Sequence, residues 1–260
     1  MLNYHSIGAG KTIVFIHGIS QSLKTWDLLQ HNSALAGYRL IFADLPGHGS
    51  SPRNAAPEQE YTLKGMAAQV KIFLDEVAGN DYIVVAGSIA TCFVAEVIAG
   101  LPRCKGLFFI GACVVGKAVE LPDMIKPSPY FPVTFSPDPD DNDLRGFITT
   151  MGVNLPDGII DSCMRLFRET DPAFREQIGA SVAAGEWSDE IALLEQCPYP
   201  VAVVYGADDA VIFPEYLSRV GLRMWQDKIV LIPQSGHCSQ LDQPKELAWL
   251  IGQYADSVFI

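Results

Sequence analysis

Residues 82–90 read YIVVAGSIA, and the fold is decided there. YIVVA is a short run rich in Val and Ile with no polar alternation, the pattern of a strand buried on both faces of a sheet. The chain then passes through Ala86, Gly87 and Ser88 into a stretch of helical character over residues 88–100. A serine between small neighbours at a strand-to-helix junction suits a sharp turn that lifts its side chain above the sheet, because bulky neighbours would clash there. The N–H groups of the following helix point at the same place and favour negative charge developing on a substrate oxygen. Ser88 is therefore a candidate nucleophile. The same residues also suit an ordinary N-cap serine, so the assignment needs support from the rest of the chain.

Outward from this centre the chain alternates. Residues 12–17 (TIVFIH), 39–44 (RLIFAD) and 106–110 (GLFFI) are further apolar runs, and residues 62–78 have helical periodicity. Strands apolar on both faces and separated by helix-length connections imply a mostly parallel sheet flanked by helices, an α/β fold. Over residues 116–196 the rhythm breaks. Six prolines (Pro122, Pro127, Pro129, Pro132, Pro137 and Pro139) punctuate its first part, and helix-like pieces follow at 143–151, 158–169 and 172–184. Alternation resumes with 201–205 (VAVVY), 228–232 (KIVLI) and a final helix over 244–257. The expected organisation is a core of residues 1–115 and 197–260 carrying an inserted helical lid, residues 116–196.

Composition narrows the function classes. The 260 residues are 49% hydrophobic and 18% charged, as in a globular protein. A net charge of -12 without any Lys/Arg cluster speaks against nucleic acid, whose binding requires clustered cations to release counterions. The same charge opposes an anionic membrane surface. The first residues lack a secretory leader pattern, and no apolar run is long enough to span a bilayer. Six scattered cysteines have neither C-x-x-C pairing nor Cys/His ligand spacing. They read as free thiols in a reducing cytoplasm, with no metal site. No phosphate-binding glycine loop of the expected form is present, so no nucleotide or other cofactor is expected. The partner expected is a small-molecule substrate, and the sequence assigns no oligomeric state.

A serine hydroxyl needs a base, and the base needs an orienting acid. Asp208 and Asp209 follow the strand VAVVY, and His237 follows KIVLI. Residues at the carboxyl ends of parallel strands converge on one sheet edge, so Ser88, the acid and His237 can meet there. Either aspartate could serve, and Asp208 could instead cap the next turn. His5 and His31 lack supporting context and are expected in solvent, while His17 and His48 lie in glycine-containing turns where hydrogen bonding suits them better than proton transfer. An oxyanion hole needs two converging backbone donors. Ile89, after the nucleophile, and Ile19, in the turn after the first long strand, are the candidates.

FIHG (15–18), DLPGHGSS (44–51), AGSIA (86–90), GADDAVIFP (206–214) and SGHCSQLDQP (235–244) occur in an order and spacing that resembles the α/β-hydrolase superfamily over nearly the whole chain. The resemblance implies a Ser88, Asp209, His237 triad, since the acid of a G-x-x-D turn falls on Asp209, and it makes DLPGHGSS architectural. The site after the sixth strand, where some relatives carry the acid, reads IGACVVG and holds no carboxylate. Gly87 stands where many members have histidine, and Ala90-Thr91 where they have glycines. A serine nucleophile disfavours the dehalogenase and epoxide-hydrolase branches. Esterases, lactonases, carbon–carbon bond hydrolases, perhydrolases and acyltransferases remain.

The expected function is hydrolysis of a small or medium hydrophobic ester or lactone through an acyl-enzyme, with activity rising with pH as His237 gives up its proton. Tyr130, Phe131, Phe135, Phe147, Met151, Phe167 and Trp187 are the expected pocket residues. A ligand sensor on the same pocket, or a lyase or cofactor-free oxygenase using the histidine–acid pair as base, is the competing expectation.

Overall fold

The computed structural model describes residues 1–259 of the 260. Seven strands form one sheet: β1 (Tyr4–Ile7), β2 (Thr12–Ile16), β3 (Arg39–Ala43), β4 (Tyr82–Gly87), β5 (Cys104–Ile110), β6 (Ala202–Gly206) and β7 (Val230–Ile232). Their order is β1-β3-β2-β4-β5-β6-β7, with every neighbouring pair parallel except β1 and β3. The expected parallel sheet is present, and the antiparallel edge strand β1 is an addition to it.

Helices cover both faces: α1 (Leu63–Val77), α2 (Ala90–Val97), α3 (Asp141–Thr150), α4 (Asp157–Glu169), α5 (Pro172–Ala183), α6 (Glu190–Glu195) and α7 (Pro244–Val258), besides shorter helical turns. β4 is buried throughout, and its side chains divide by alternation. Tyr82, Val84 and Ala86 pack with Met66, Val70 and Phe73 of α1, whereas Ile83 and Val85 pack with Trp26 and with Leu247 and Ile251 of α7. Burying one such large apolar side chain contributes about 1.5–3 kcal/mol. Two cores fed by one strand therefore fix β4, and with it the turn it delivers, in the middle of the sheet. Thr62 caps α1, accepting a 3.0 Å hydrogen bond from the Gly65 N–H.

The chain between β5 and β6 carries α3 to α6. α3 and α4 pack around their own small cluster of Val133, Leu144, Phe147, Ile148, Ile160 and Phe167. α6, which the sequence pattern does not mark as a helix, sits instead on the main core through Ile191 and Leu194. Glu190, its first residue, is fully buried. Its Oε2 accepts from the Val115 N–H at 2.8 Å, and among the described residues its Oε1 has no hydrogen-bond partner. Burial pushes this carboxyl up to about 8, against the pull of the Val115 N–H. The unfolded chain releases this proton at lower pH than the folded protein does, so the contribution to stability falls as pH rises toward 8. Glu190→Gln keeps the acceptor for Val115 and is expected to raise Tm by several degrees at pH 8 and far less at pH 4.5, measured by thermal melts. A lower Tm at pH 8 would contradict this account of the buried acid.

Among the described residues no helix is long and apolar enough to cross a membrane.

Candidate active site

β4 delivers Ser88 at the carboxyl edge of the sheet with φ 51, the left-handed region in which few non-glycine residues sit. Its N–H is held by the Ile110 carbonyl at 2.8 Å, and Thr91 Oγ1 donates to the Ser88 carbonyl at 2.7 Å. The strained turn is thus pinned from β5 and from the first turn of α2, leaving Oγ free to face the histidine. Ser88 Oγ lies 3.0 Å from His237 Nε2, and His237 Nδ1 lies 2.9 Å from Asp209 Oδ2. The three residues come from the loops after β4, β6 and β7.

Asp209 is 1% exposed, whereas Asp208 faces solvent with its N–H on the Ser235 carbonyl. The Oδ1 of Asp209 accepts from the N–H groups of Val211 (2.7 Å) and Ile212 (3.0 Å), so its second oxygen is aimed at His237. Burial pushes this carboxyl up, but His237 and the two N–H groups outweigh it and hold it below the usual carboxylate range. Asp209 thus remains an anion that orients the imidazole.

Ile19 and Ile89 flank Ser88. Among the described residues neither backbone N–H is hydrogen-bonded, although Ile89 is 8% exposed. Both residues line the larger cavity together with Ser88. Gln21, which the sequence pattern does not single out, holds this region together: its Oε1 accepts from the Gly18 N–H and its Nε2 donates to Cys238 Sγ, both at 3.2 Å.

Gly111, with φ +57, supports the imidazole from below. A Cβ there would lie 2.7 Å from His237 Cε1 and 2.9 Å from Nδ1. Gly111→Ala is expected to strain the backbone by about 1–2 kcal/mol and to displace the ring by enough to lower kcat on the order of 10²-fold. Steady-state ester hydrolysis set beside a thermal melt measures both effects, and unchanged kcat would sink the argument.

The other histidines occupy different surroundings. His17 donates from Nδ1 to the Gly18 carbonyl (2.8 Å) and accepts at Nε2 from the Leu45 N–H (3.0 Å). Burial pulls it down to about 4. His48 likewise bridges the Pro46 carbonyl and the Ser20 N–H. Asp44 accepts from Asn3, Leu23 and Ser50. These are turn-holding groups, and His5 and His31 face solvent. No group of three His, Cys, Asp or Glu among the described residues is arranged to hold a metal ion.

Two cavities meet at Ser88 and His237. The larger, about 510 Å³, is walled by apolar side chains, among them Phe131, Phe135, Phe147, Met151 and Trp187. Among the described residues Lys126 is the one Lys, Arg, Asp or Glu in its wall. The smaller, about 380 Å³, includes Phe167, Gln21 and the charged Lys24, Asp27 and Arg165. Tyr130 lines neither cavity. Its ring fills the space beside Gly146 and packs on the small α3–α4 cluster, so this expected pocket residue packs within residues 116–196 instead. Phe167 likewise departs from the apolar pocket, lying fully buried on the side of the smaller cavity.

The segment between β5 and β6 also braces the loops that carry the acid and the histidine. Lys126 donates from its N–H to the Val211 carbonyl (2.8 Å) and from Nζ to the Asp209 carbonyl (2.5 Å). Cys238 N–H donates to the Met151 carbonyl at 2.7 Å. Asp242 accepts from the N–H groups of both Val153 and Gly236.

Among proteins of known identity, the chain is similar to the dihydrolipoyllysine-residue acetyltransferase component of the acetoin cleaving system of Pseudomonas putida, with 24% identity over 277 residues, covering 95% of this chain and 64% of that one. The match spans 64% of that relative's length and 25% of the length of the same component from Cupriavidus necator. Among solved structures it superposes on a mutant of N-acyl homoserine lactonase AidH in complex with N-hexanoyl homoserine lactone, with a TM-score of 0.89, 22% identity and all of both chains covered. It also superposes on a thermophilic esterase from Thermogutta terrifontis, with a TM-score of 0.79, 18% identity, and 100% of this chain and 94% of that one covered. At such identities these likenesses speak for a shared fold. The sequence model of the alpha/beta hydrolase family matches residues 13–248, and this chain belongs to that family.

Proposed function

We propose that the protein is a serine hydrolase that cleaves a small or medium apolar ester or lactone through an acyl-enzyme. The observation that carries this reading is the hydrogen-bonded line from Asp209 through His237 to Ser88, ending at the junction of two cavities. His237 takes the proton of Ser88 as Oγ attacks the acyl carbon, and Asp209 holds the imidazole in the accepting tautomer and stabilises its charged form. The oxyanion accepts from Ile19 and Ile89 N–H, which gain in the tetrahedral state the partner they otherwise lack. His237 then gives its proton to the leaving oxygen, and water activated by the same nitrogen releases the acid.

The cavities suggest how a substrate lies. An apolar acyl chain suits the larger, whose walls offer Phe131, Phe147 and Met151, and a more polar leaving group suits the smaller, whose wall includes Lys24 and Arg165. The N-hexanoyl homoserine lactone bound to the superposed lactonase has that division, an apolar chain on a polar ring. Residues 116–196 act in this reading as the lid that supplies most of the acyl wall. The test is kcat/KM across esters of one chromogenic alcohol with acyl chains of two to twelve carbons, alongside acyl lactones of matched length. A rise with chain length to a maximum, then a fall once the chain exceeds the cavity, is expected. Indifference to chain length at measurable turnover would remove the acyl assignment, and no turnover of any ester or lactone would remove hydrolysis.

A further inference from the structure

The wall of the larger cavity holds two thiols for which the proposed reaction has no use. Cys92 lies in the first turn of α2 and Cys113 two residues beyond Gly111, and both line the cavity with Ser88. Their sulfurs are 3.7 Å apart, and Cys92 Sγ also donates to the Cys113 carbonyl at 3.1 Å. All six cysteines are free, and no other two cysteine sulfurs among the described residues are in hydrogen-bond contact. A covalent bond requires about 2.05 Å between the sulfurs, so side-chain rotation has to close roughly 1.6 Å. Of the two, Cys113 is partly exposed and Cys92 is buried.

The pair is also wired to the nucleophile. Cys113 N–H donates to Thr91 Oγ1 at 3.2 Å, and the same hydroxyl donates to the Ser88 carbonyl at 2.7 Å. Thr91, next to Cys92 in α2 and bonded to Cys113, is thus the link through which a change at the pair reaches the Ser88 turn.

We propose that Cys92 and Cys113 form a dithiol modification site that a small hydroperoxide entering the cavity closes to an intramolecular disulfide, which misaligns Ser88 and narrows the acyl wall. Cys113 Sγ, the sulfur reached from the cavity, attacks one peroxide oxygen. An S–O bond forms, the O–O bond breaks, and the departing oxygen anion takes the thiol proton, leaving as water from hydrogen peroxide or as an alcohol from an organic hydroperoxide. Cys92 Sγ then attacks the sulfenic sulfur: the S–S bond forms, the S–O bond breaks, and hydroxide leaves with the Cys92 proton as water. Each thiol loses one electron and the peroxide gains two. The hydrogen bond to Cys113 and burial hold the Cys92 thiol well above its ordinary range, which keeps it protonated and unreactive toward the peroxide itself.

The test treats the full chain with hydrogen peroxide, alkylates the remaining thiols and digests with trypsin. Cys92 and Cys113 are the sole cysteines of the tryptic peptides 72–103 and 106–117. The expected result is those two peptides joined, an intact mass lower by two hydrogens, and reversal by dithiothreitol. Peptides recovered separately with both cysteines alkylated, irreversible oxidation of Cys113 beside a free Cys92, or links among the other cysteines would each overturn the site. Fluorophosphonate labelling of Ser88 should slow on the order of 10- to 100-fold in the linked protein, recover on reduction, and become indifferent to peroxide in Cys113→Ser. Unchanged labelling of fully linked protein would overturn the control assigned to the bond. Absence of labelling in the reduced protein would instead count against the hydrolase reading, and the peptide link would still decide the dithiol site.

Discussion

Ser88→Ala is expected to lower kcat toward an acyl ester on the order of 10⁴- to 10⁶-fold, the scale seen when a nucleophile acting as one unit with its base is removed. The substitution deletes one oxygen and little else. The Ser88 N–H bond to Ile110 and the Thr91 bond to the Ser88 carbonyl are made by the main chain and persist in alanine. The cavities and the Ile19 and Ile89 N–H groups also persist, so substrate binding should change little and the loss should fall on kcat. Alanine at φ 51 carries a modest penalty, which serine already bears. A variant that folds yet keeps substantial activity would move the chemistry to proton abstraction by the His237–Asp209 pair, as in a lyase or cofactor-free oxygenase.

Asp209→Asn should cost about 10⁴-fold in kcat with the fold intact, for a reason specific to the wiring. Oδ1 of Asp209 is committed to the N–H groups of Val211 and Ile212, so the amide oxygen of asparagine must remain there and its NH₂ must face His237. A donor against Nδ1 turns that nitrogen into an acceptor and moves the ring proton to Nε2. Nε2 is the atom 3.0 Å from Ser88 Oγ, and once protonated it has no lone pair for the serine proton. Circular dichroism and melting, measured with the kinetics, separate this effect from unfolding. Activity within tenfold of the parent would mean that Asp209 does not set the tautomer.

The centre of the fold is legible in the sequence because physics there is local. β4 is apolar on both faces, Ser88 sits between small residues, and the acid and histidine each follow an apolar run. Choosing Asp209 over Asp208 is beyond pattern alone, since both follow the same strand, and requires the family resemblance. In the structure the pair separate by burial, Asp209 inside and Asp208 in solvent. β1 escapes the sequence pattern because YHSI is mostly exposed, and an edge strand with one paired side need not be apolar. α6 escapes it because six residues are too few to establish a helical period.

Residues whose role is contact across the chain leave no sequence signal. Gly111 lies in a stretch that stands out in sequence only for lacking a carboxylate, yet its contribution is the space it leaves for His237. Gln21 and Lys126 act through partners more than eighty positions away. Tyr130 and Phe167 look like any lid aromatic in sequence, and only packing decides that one fills the space at Gly146 while the other closes the smaller cavity.

The central claim, that His237 and Asp209 activate Ser88 beside a cavity that accepts substrate, is tested most directly by intact-mass spectrometry of the parent protein and Ser88→Ala after treatment with a fluorophosphonate. A single adduct on the parent, lying in peptide 72–103, and none on the variant is the result expected. An unmodified parent whose fold is verified, or an adduct that persists in Ser88→Ala, would contradict the account.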